Sequence, residues 1–199
     1  MVTSERLYLA FLGAVAVERL AELALSRRNA RRAFARGGVE VGRAHFRVMA
    51  GMHGAFLAAC ALEVLWLGRP FPGPVGLAAL ALALLAQALR TWVIHTLGDQ
   101  WNVRIIVVPG APPVVGGPYR YLRHPNYAAV IVEMIAIPMI HGAWLTALVW
   151  SALNALVLAV RIRAEEEALG PAYAARMRGL PRLVPGRRPP GAGELSGGP

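Results

Sequence analysis

Apolar residues in this chain are gathered into four long stretches, at roughly residues 7–25, 48–67, 74–97 and 127–160. A helix that crosses a bilayer needs about 20 mostly apolar residues, so each of the first three stretches predicts one crossing. The fourth is too long for one crossing and is interrupted near Pro138, His141 and Gly142, which favours a helical hairpin with a short first arm. The pattern predicts an all-α integral membrane bundle of about five transmembrane segments, with a C-terminal hairpin.

These stretches divide the chain into three parts. Residues 1–97 hold three N-terminal transmembrane helices with a basic loop, and residues 98–188 hold a loop rich in Gly and Pro, the hairpin and a polar tail. Residues 189–199 are mostly Gly and Pro and are predicted to be disordered. Because Glu5 precedes the first apolar stretch and Glu18, Arg19 and Glu22 interrupt it, this stretch predicts a retained helix and not a cleaved signal peptide.

Composition supports the membrane assignment. The chain is 56% hydrophobic and only 16% charged, whereas soluble domains are about 25% charged. Its net charge is +10, and all 21 basic residues are Arg. A charge this high is also typical of nucleic-acid-binding proteins, but no aromatic residues alternate with the basic runs to stack on bases. We therefore expect no nucleic-acid partner.

The arginines are concentrated after the first helix, in residues 98–126 and in the tail after the hairpin. The positive-inside rule places such segments in the cytoplasm. All three fall on one side if the N-terminus lies outside and the C-terminus is cytoplasmic. This predicts an integral protein of a bacterial cytoplasmic membrane, with its arginines facing anionic membrane lipids.

The isolated polar residues of the helices do not predict a metal or disulfide site. Cys60 is the single cysteine, and the five histidines show no pair four residues apart. His53 and Glu63 are ten residues apart in the second stretch, so they do not share a helical turn. We expect both to have structural roles.

The stretch before the hairpin holds the first candidate chemistry. Pro125 disfavours the helical conformation for His124 and suits the first turn of a new helix. His124 is therefore expected at the mouth of the hairpin, beside free backbone N–H groups and the positive end of a helix dipole. Such a place binds a carboxylate or another anion. The alternative is a surface loop with aromatic anchors at the headgroup level.

A second polar cluster follows the hairpin, where Arg161 and Glu165 are four residues apart and share a helix face. By itself this is typical of a solvated, salt-bridged helix end. However, both arms of the hairpin meet the same side of the membrane. We therefore expect Arg123 and His124 to lie close to Arg161, Glu165 and the adjacent Glu166.

The motifs of residues 116–173 resemble a known family. Gly-Pro-Tyr, then Arg-His-Pro-x-Tyr, an apolar hairpin and Arg-Ile-x-x-Glu-Glu-x-x-Leu are similar to the isoprenylcysteine carboxyl methyltransferase family. The resemblance implies an integral membrane enzyme that uses S-adenosylmethionine without a Rossmann domain. The sequence agrees, since no Gly-x-Gly-x-x-Gly motif is present.

The resemblance also implies roles for individual residues. Those of the cofactor-binding motifs are Gly117, Tyr119, His124, Pro125, Tyr127, Glu165 and Glu166. Two arginines, Arg123 and Arg161, match positions near the reacting centre. The family pattern often continues with Gly where this chain has Ala129.

Glu133 lies deep in the apolar first arm of the hairpin. Acids inside a membrane are costly and often functional. A carboxylate acceptor needs no base because it is already ionised near neutral pH, whereas a phenol or enol benefits from one. Glu133 is therefore a candidate catalytic base for a hydroxyl acceptor. The alternative is a buried structural pair with Arg90 or His95.

The run of residues 104–127, with His53 and Glu63, resembles a bacterial subgroup associated with type III polyketide synthases. This resemblance implies methylation of alkylpyrones or alkylresorcinols. The sequence thus predicts an O-methyltransferase of a phenolic or pyrone polyketide lipid that enters from the bilayer. The alternatives are a carboxyl methyltransferase of an isoprenylcysteine-like or other lipid, and a non-catalytic transporter or assembly factor.

Overall fold

The computed structural model describes residues 2–184, without the side chains of Val2, Ala44 and His45. Within this range the chain forms five α-helices and one pair of short strands. In chain order the elements are α1 (Val2–Ala35), β1 (Val39–Val41), α2 (Arg43–Leu67), α3 (Pro74–Leu97), β2 (Ile105–Val107), α4 (Pro125–Met139) and α5 (Trp144–Arg176). The tail predicted to be disordered, residues 189–199, lies outside the described residues.

Three described segments are long and apolar enough to cross a membrane: Phe46–Leu67, Pro74–Gln100 and Trp144–Arg176. The first of these has 22 residues, which is about 33 Å of helix, close to the ~30 Å hydrocarbon core of a bilayer. α4 is also apolar but shorter. The prediction of an all-α membrane bundle is therefore confirmed. The predicted first crossing lies in α1 but is not among the three segments, since charged residues interrupt its apolar run.

The predicted hairpin is present, and its break lies where the sequence placed it. α4 ends one residue after Pro138, and α5 begins two residues after Gly142, which has a left-handed φ of 71° that favours glycine. Glu63 of α2 accepts hydrogen bonds from the backbone N–H groups of Thr146 (2.6 Å) and Leu145 (3.2 Å) at the start of α5. Glu63 thus has the structural role expected for it, because it satisfies N–H groups that have no partner within the helix.

Several loops meet at the end of the bundle that is opposite the turn of the hairpin. β1 and β2 pair antiparallel there, with Val39 opposite Val107. Asn29 of α1 donates to the backbone carbonyls of Gly98 (3.0 Å) and Trp101 (2.9 Å). We call this the basic end, because the arginine-rich segments after the first apolar stretch, before α4 and after the hairpin all lie at it.

α1 continues ten residues further than its apolar stretch predicts, as far as Ala35. The prediction of a loop directly after residue 25 is therefore wrong, and the arginines of residues 27–32 lie on the last turns of the helix. Contacts distant in sequence hold this extension, such as the 2.7 Å hydrogen bond from Ser26 to Asn102. The strand pair is a second departure, since strands of three residues are too short to give a periodic pattern.

Four charged residues from three helices form a buried ion cluster: Arg19 and Glu22 of α1, Arg90 of α3 and Glu133 of α4. Arg90 donates to both carboxylate oxygens of Glu133, at 2.6 Å from Nη2 and 3.1 Å from Nε, and its Nη1 lies 3.7 Å from Glu22. Arg19 lies 2.8 Å from Glu22 and 3.4 Å from Glu133. Arg90 and Glu133 are only 5% and 3% exposed, so each charge depends on the others for stabilisation. Of the two partners considered for Glu133, the structure has Arg90, whereas His95 is exposed.

Replacing Arg90 by Met is expected to destabilise the protein by about 3–5 kcal/mol, because Glu133 is left buried with Arg19 as its remaining cation. Thermal unfolding in detergent measures the loss. Arg32→Met is the matched control, since Arg32 and its partner Asp99 are 51% and 53% exposed and such pairs contribute only ~0–1 kcal/mol. Equal losses in the two variants would contradict a structural role for the ion cluster.

Candidate active site

The start of α4 is held from two directions. Pro125 is fully buried at the first turn of α4, and His124 precedes it as the N-cap residue. The backbone N–H groups of Arg123 and His124 donate to the carbonyls of Pro181 (2.9 Å) and Arg182 (3.0 Å). The end of the described chain therefore crosses the start of α4. We expected free N–H groups beside His124, but these two are occupied, by a segment that no local pattern connects to this site.

Glu166 of α5 connects His124 to this C-terminal segment. Its carboxylate accepts from His124 Nε2 (3.1 Å) and from Arg182 Nη2 (2.6 Å) and Nε (3.1 Å), and Arg123 Nη1 lies 3.9 Å away. The hydrogen bond to Glu166 raises the pKa of Arg182 above its ordinary value. Since both oxygens of Glu166 are engaged, this carboxylate holds the parts of the site together.

Tyr127 joins the two sequence clusters across the hairpin. Its hydroxyl donates to the carboxylate of Glu165 and accepts from Arg161 Nε at 2.8 Å. Arg161 Nη2 donates to the carbonyl of Val103 at 2.5 Å. Arg161 is only 4% exposed, and its Nη1 has no hydrogen-bond partner among residues 2–184. A buried guanidinium with one unpaired donor is suited to bind an anionic or polar group of a ligand.

Gly117 and Tyr119 belong to a 3₁₀ turn, Gly117–Arg120, that packs against the end of α3. Gly117 has φ 53°, and a Cβ at this position would collide with the side chains of Thr96 and Trp92. Burial raises the pKa of Tyr119 above its ordinary value, so its hydroxyl stays protonated. Gly117 thus fixes the turn that presents Tyr119.

A cavity of about 970 Å³ runs from the basic end into the bundle. At the basic end its wall contains six of the predicted site residues: Tyr119, Arg123, His124, Tyr127, Arg161 and Glu165. Further in, α1, α2 and α4 supply apolar walls that include Leu20, Leu57 and Val130. The cavity therefore joins a polar region to an apolar one, and its volume is large enough for two small ligands side by side.

The other four predicted residues lie behind this wall and not on it. Gly117 and Pro125 shape the backbone, Glu166 ties His124 to the C-terminal segment, and Glu133 is paired in the ion cluster. The hairpin thus brings together the two clusters whose proximity was predicted, but it divides their residues between ligand-facing and supporting positions.

Other polar residues also line the cavity without a site role assigned from the sequence, and they include His53, Asn126 and Tyr173. Asn126 accepts a hydrogen bond from Arg90 (3.4 Å) and lies within the Arg-His-Pro-x-Tyr motif, which gives a usable signal. Tyr173 donates to the carbonyl of Arg123 (3.2 Å). It follows the kink at Gly170, where α5 leaves helical geometry, so helical periodicity does not place it.

Comparison with known proteins gives one family match and two similar proteins. Residues 79–171 match the isoprenylcysteine carboxyl methyltransferase (ICMT) family. The chain is 40% identical over 154 residues to the uncharacterized protein YpbQ of Bacillus subtilis, an overlap that covers 77% of this chain and 90% of YpbQ. It is 32% identical over 152 residues to an uncharacterized protein of Haemophilus influenzae, covering 76% of this chain and 88% of that protein.

Gly117→Ala is expected to destabilise the protein by about 1–3 kcal/mol, because it forces a side chain into a left-handed conformation and against Thr96 and Trp92. Gly116→Ala is the adjacent control: its φ is −84°, and a Cβ there meets no atom within 4 Å. Thermal unfolding of both variants in detergent provides the comparison. The assigned role of Gly117 fails if both tolerate alanine equally well.

Proposed function

The chain belongs to the isoprenylcysteine carboxyl methyltransferase family, and on this premise we propose that it is an S-adenosylmethionine-dependent O-methyltransferase of a lipophilic acceptor. The observation that carries the proposal is one continuous cavity that is polar at the basic end and apolar further in. Such a cavity accommodates a polar methyl donor and a lipid acceptor together, in a chain whose helices include three candidate membrane crossings.

The polar part of the cavity fits the chemical groups of S-adenosylmethionine. Glu165 would accept hydrogen bonds from the ribose hydroxyls or the ammonium group, and Arg161 Nη1 and Arg123 would donate to the carboxylate. When bound, this cofactor supplies an electrophilic methyl group. The protein aligns the acceptor oxygen with that methyl and excludes water from the reaction.

The apolar part of the cavity suits the hydrocarbon portion of the acceptor, which enters laterally from the bilayer between the helices. Its walls include apolar residues of α1, α2 and α4. The basic end then faces the cytoplasm, as the positive-inside rule requires, and the cofactor enters from that side. We propose a phenolic or pyrone polyketide lipid as the acceptor, on the resemblance of residues 104–127 to the polyketide-associated subgroup.

The sequence suggested Glu133 as the catalytic base for a hydroxyl acceptor, but its contacts in the structure do not support that role. Both of its oxygens accept hydrogen bonds from Arg90, and Glu133 is absent from the cavity wall. These contacts favour the alternative considered for it, a buried structural pair. A base for a hydroxyl acceptor must then come from another residue.

S-adenosylhomocysteine is expected to raise the unfolding temperature of the purified protein in detergent. Glu165→Gln should weaken its binding about tenfold or more, since a hydrogen bond to a charged group contributes about 1.5–3 kcal/mol. Glu167→Gln is the matched control, because Glu167 is exposed and does not line the cavity. Isothermal titration provides both affinities. Absence of binding to the unmodified protein would overturn the proposed function.

The acceptor class is tested by methyl transfer from radiolabelled S-adenosylmethionine in proteoliposomes. We expect methylation of a long-chain alkylresorcinol and not of a prenylated cysteine. Methylation of the prenylcysteine carboxylate instead would keep the enzyme class and replace the proposed acceptor with the carboxylate alternative.

A further inference from the structure

His53 of α2 presents an unpaired proton acceptor to the cavity. Its Nδ1 lies 2.8 Å from the backbone carbonyl of Met49. Because a carbonyl oxygen only accepts, Nδ1 carries the hydrogen, and in the neutral ring Nε2 has the free lone pair. Within residues 2–184 no group makes a hydrogen bond to Nε2. The ring lines the cavity, and since Nδ1 is turned back onto its own helix, Nε2 lies on the edge directed away from it.

The surroundings of His53 leave it available. The charged groups that act on His53 belong to the ion cluster: Arg90 from α3, Glu133 from α4 and Arg19 from α1. Glu22 of α1, the fourth member of the cluster, lines the same cavity. The two arginines and two carboxylates neutralise each other through the contacts described above. The carboxylates are therefore occupied as acceptors, whereas the imidazole is not.

The position of His53 also suits an acceptor lipid. Leu57, one helical turn further along α2, lines the apolar part of the same cavity, and Asn126 and Tyr127 line the wall supplied by α4. His53 precedes Leu57 on α2 and so lies nearer the basic end. A lipid held along Leu57 with its polar head toward that end would therefore bring a hydroxyl group to the imidazole.

We propose that His53 is the general base of the reaction and that the acceptor is a weakly acidic hydroxyl; this inference rests on the proposed function. The O–H bond of the acceptor breaks and its proton passes to His53 Nε2. The oxygen forms a bond to the donor methyl carbon, whose bond to sulfur breaks with its electron pair remaining on sulfur. His53 releases this proton to solvent after the product leaves.

The test uses His53→Asn in the 199-residue chain in proteoliposomes. The Asn amide can still donate to the Met49 carbonyl, but Asn has no counterpart of Nε2. His95→Asn is the matched control: it makes the same exchange on α3, at an exposed residue that does not line the cavity. With a long-chain alkylphenol near neutral pH, we expect kcat/KM to fall about 10²–10⁴-fold in His53→Asn and to remain unchanged in His95→Asn.

An acceptor that needs no base shows whether His53→Asn impairs proton removal or acceptor binding. With the matching nitrophenol under mildly alkaline conditions, where it is already ionised, His53→Asn should recover activity close to that of the unmodified protein. A second measurement needs no turnover: the absorbance of nitrophenolate bound to the protein together with S-adenosylhomocysteine. At neutral pH this absorbance should be weaker in His53→Asn than in His95→Asn.

The outcomes distinguish this inference from the function on which it rests. If the unmodified protein methylates the alkylphenol but His53→Asn does so equally well, or loses activity equally with both acceptors, His53 is not the base. If the unmodified protein binds no S-adenosylhomocysteine and methylates no acceptor, the proposed function itself fails.

Discussion

The pairing of Arg90 with Glu133 and Glu22 is the interaction on which the rest of the structure depends. Lipid is as apolar as leucine, so apolar surface alone does not determine which helix faces meet within a bilayer. Buried charges do, because an unpaired arginine or glutamate inside the membrane is costly. Arg90 finds its partners only when α1, α3 and α4 lie together in one register. That register places the start of α4 at the basic end and leaves a cavity against α2.

The site follows from that placement of α4. Its first turn carries His124 and Tyr127, and the C-terminal segment holds it by backbone hydrogen bonds. Across the hairpin, Arg161 and Glu165 meet the hydroxyl of Tyr127. The polar wall is thus built from a loop, a helix start and one helix face. This wall, formed by the hairpin and its flanking segments, is sufficient to offer donors and acceptors to a small polar ligand.

The hairpin and the meeting of its two polar clusters were predictable, because apolar runs, prolines and fixed motif spacings are local signals. The surroundings of each side chain were not. An acidic residue in an apolar run is the same sequence pattern for a catalytic base and for a partner of Arg90. The two roles of Glu133 are distinguished only by the packing of α3 on α4. Likewise, the sequence does not show which ring nitrogen of His53 is free, because this depends on the hydrogen bond between Nδ1 and the Met49 carbonyl. Such contacts join residues that sequence periodicity treats independently.

The most direct test of the account is an experimental structure of the protein with S-adenosylhomocysteine and a long-chain phenol bound together. We expect the cofactor product against Glu165 and Arg161 at the basic end. The hydrocarbon chain should lie along Leu20 and Leu57, with the phenol oxygen within hydrogen-bonding distance of His53. A cofactor product bound outside this cavity, or a phenol whose oxygen points away from α2, would contradict this expectation.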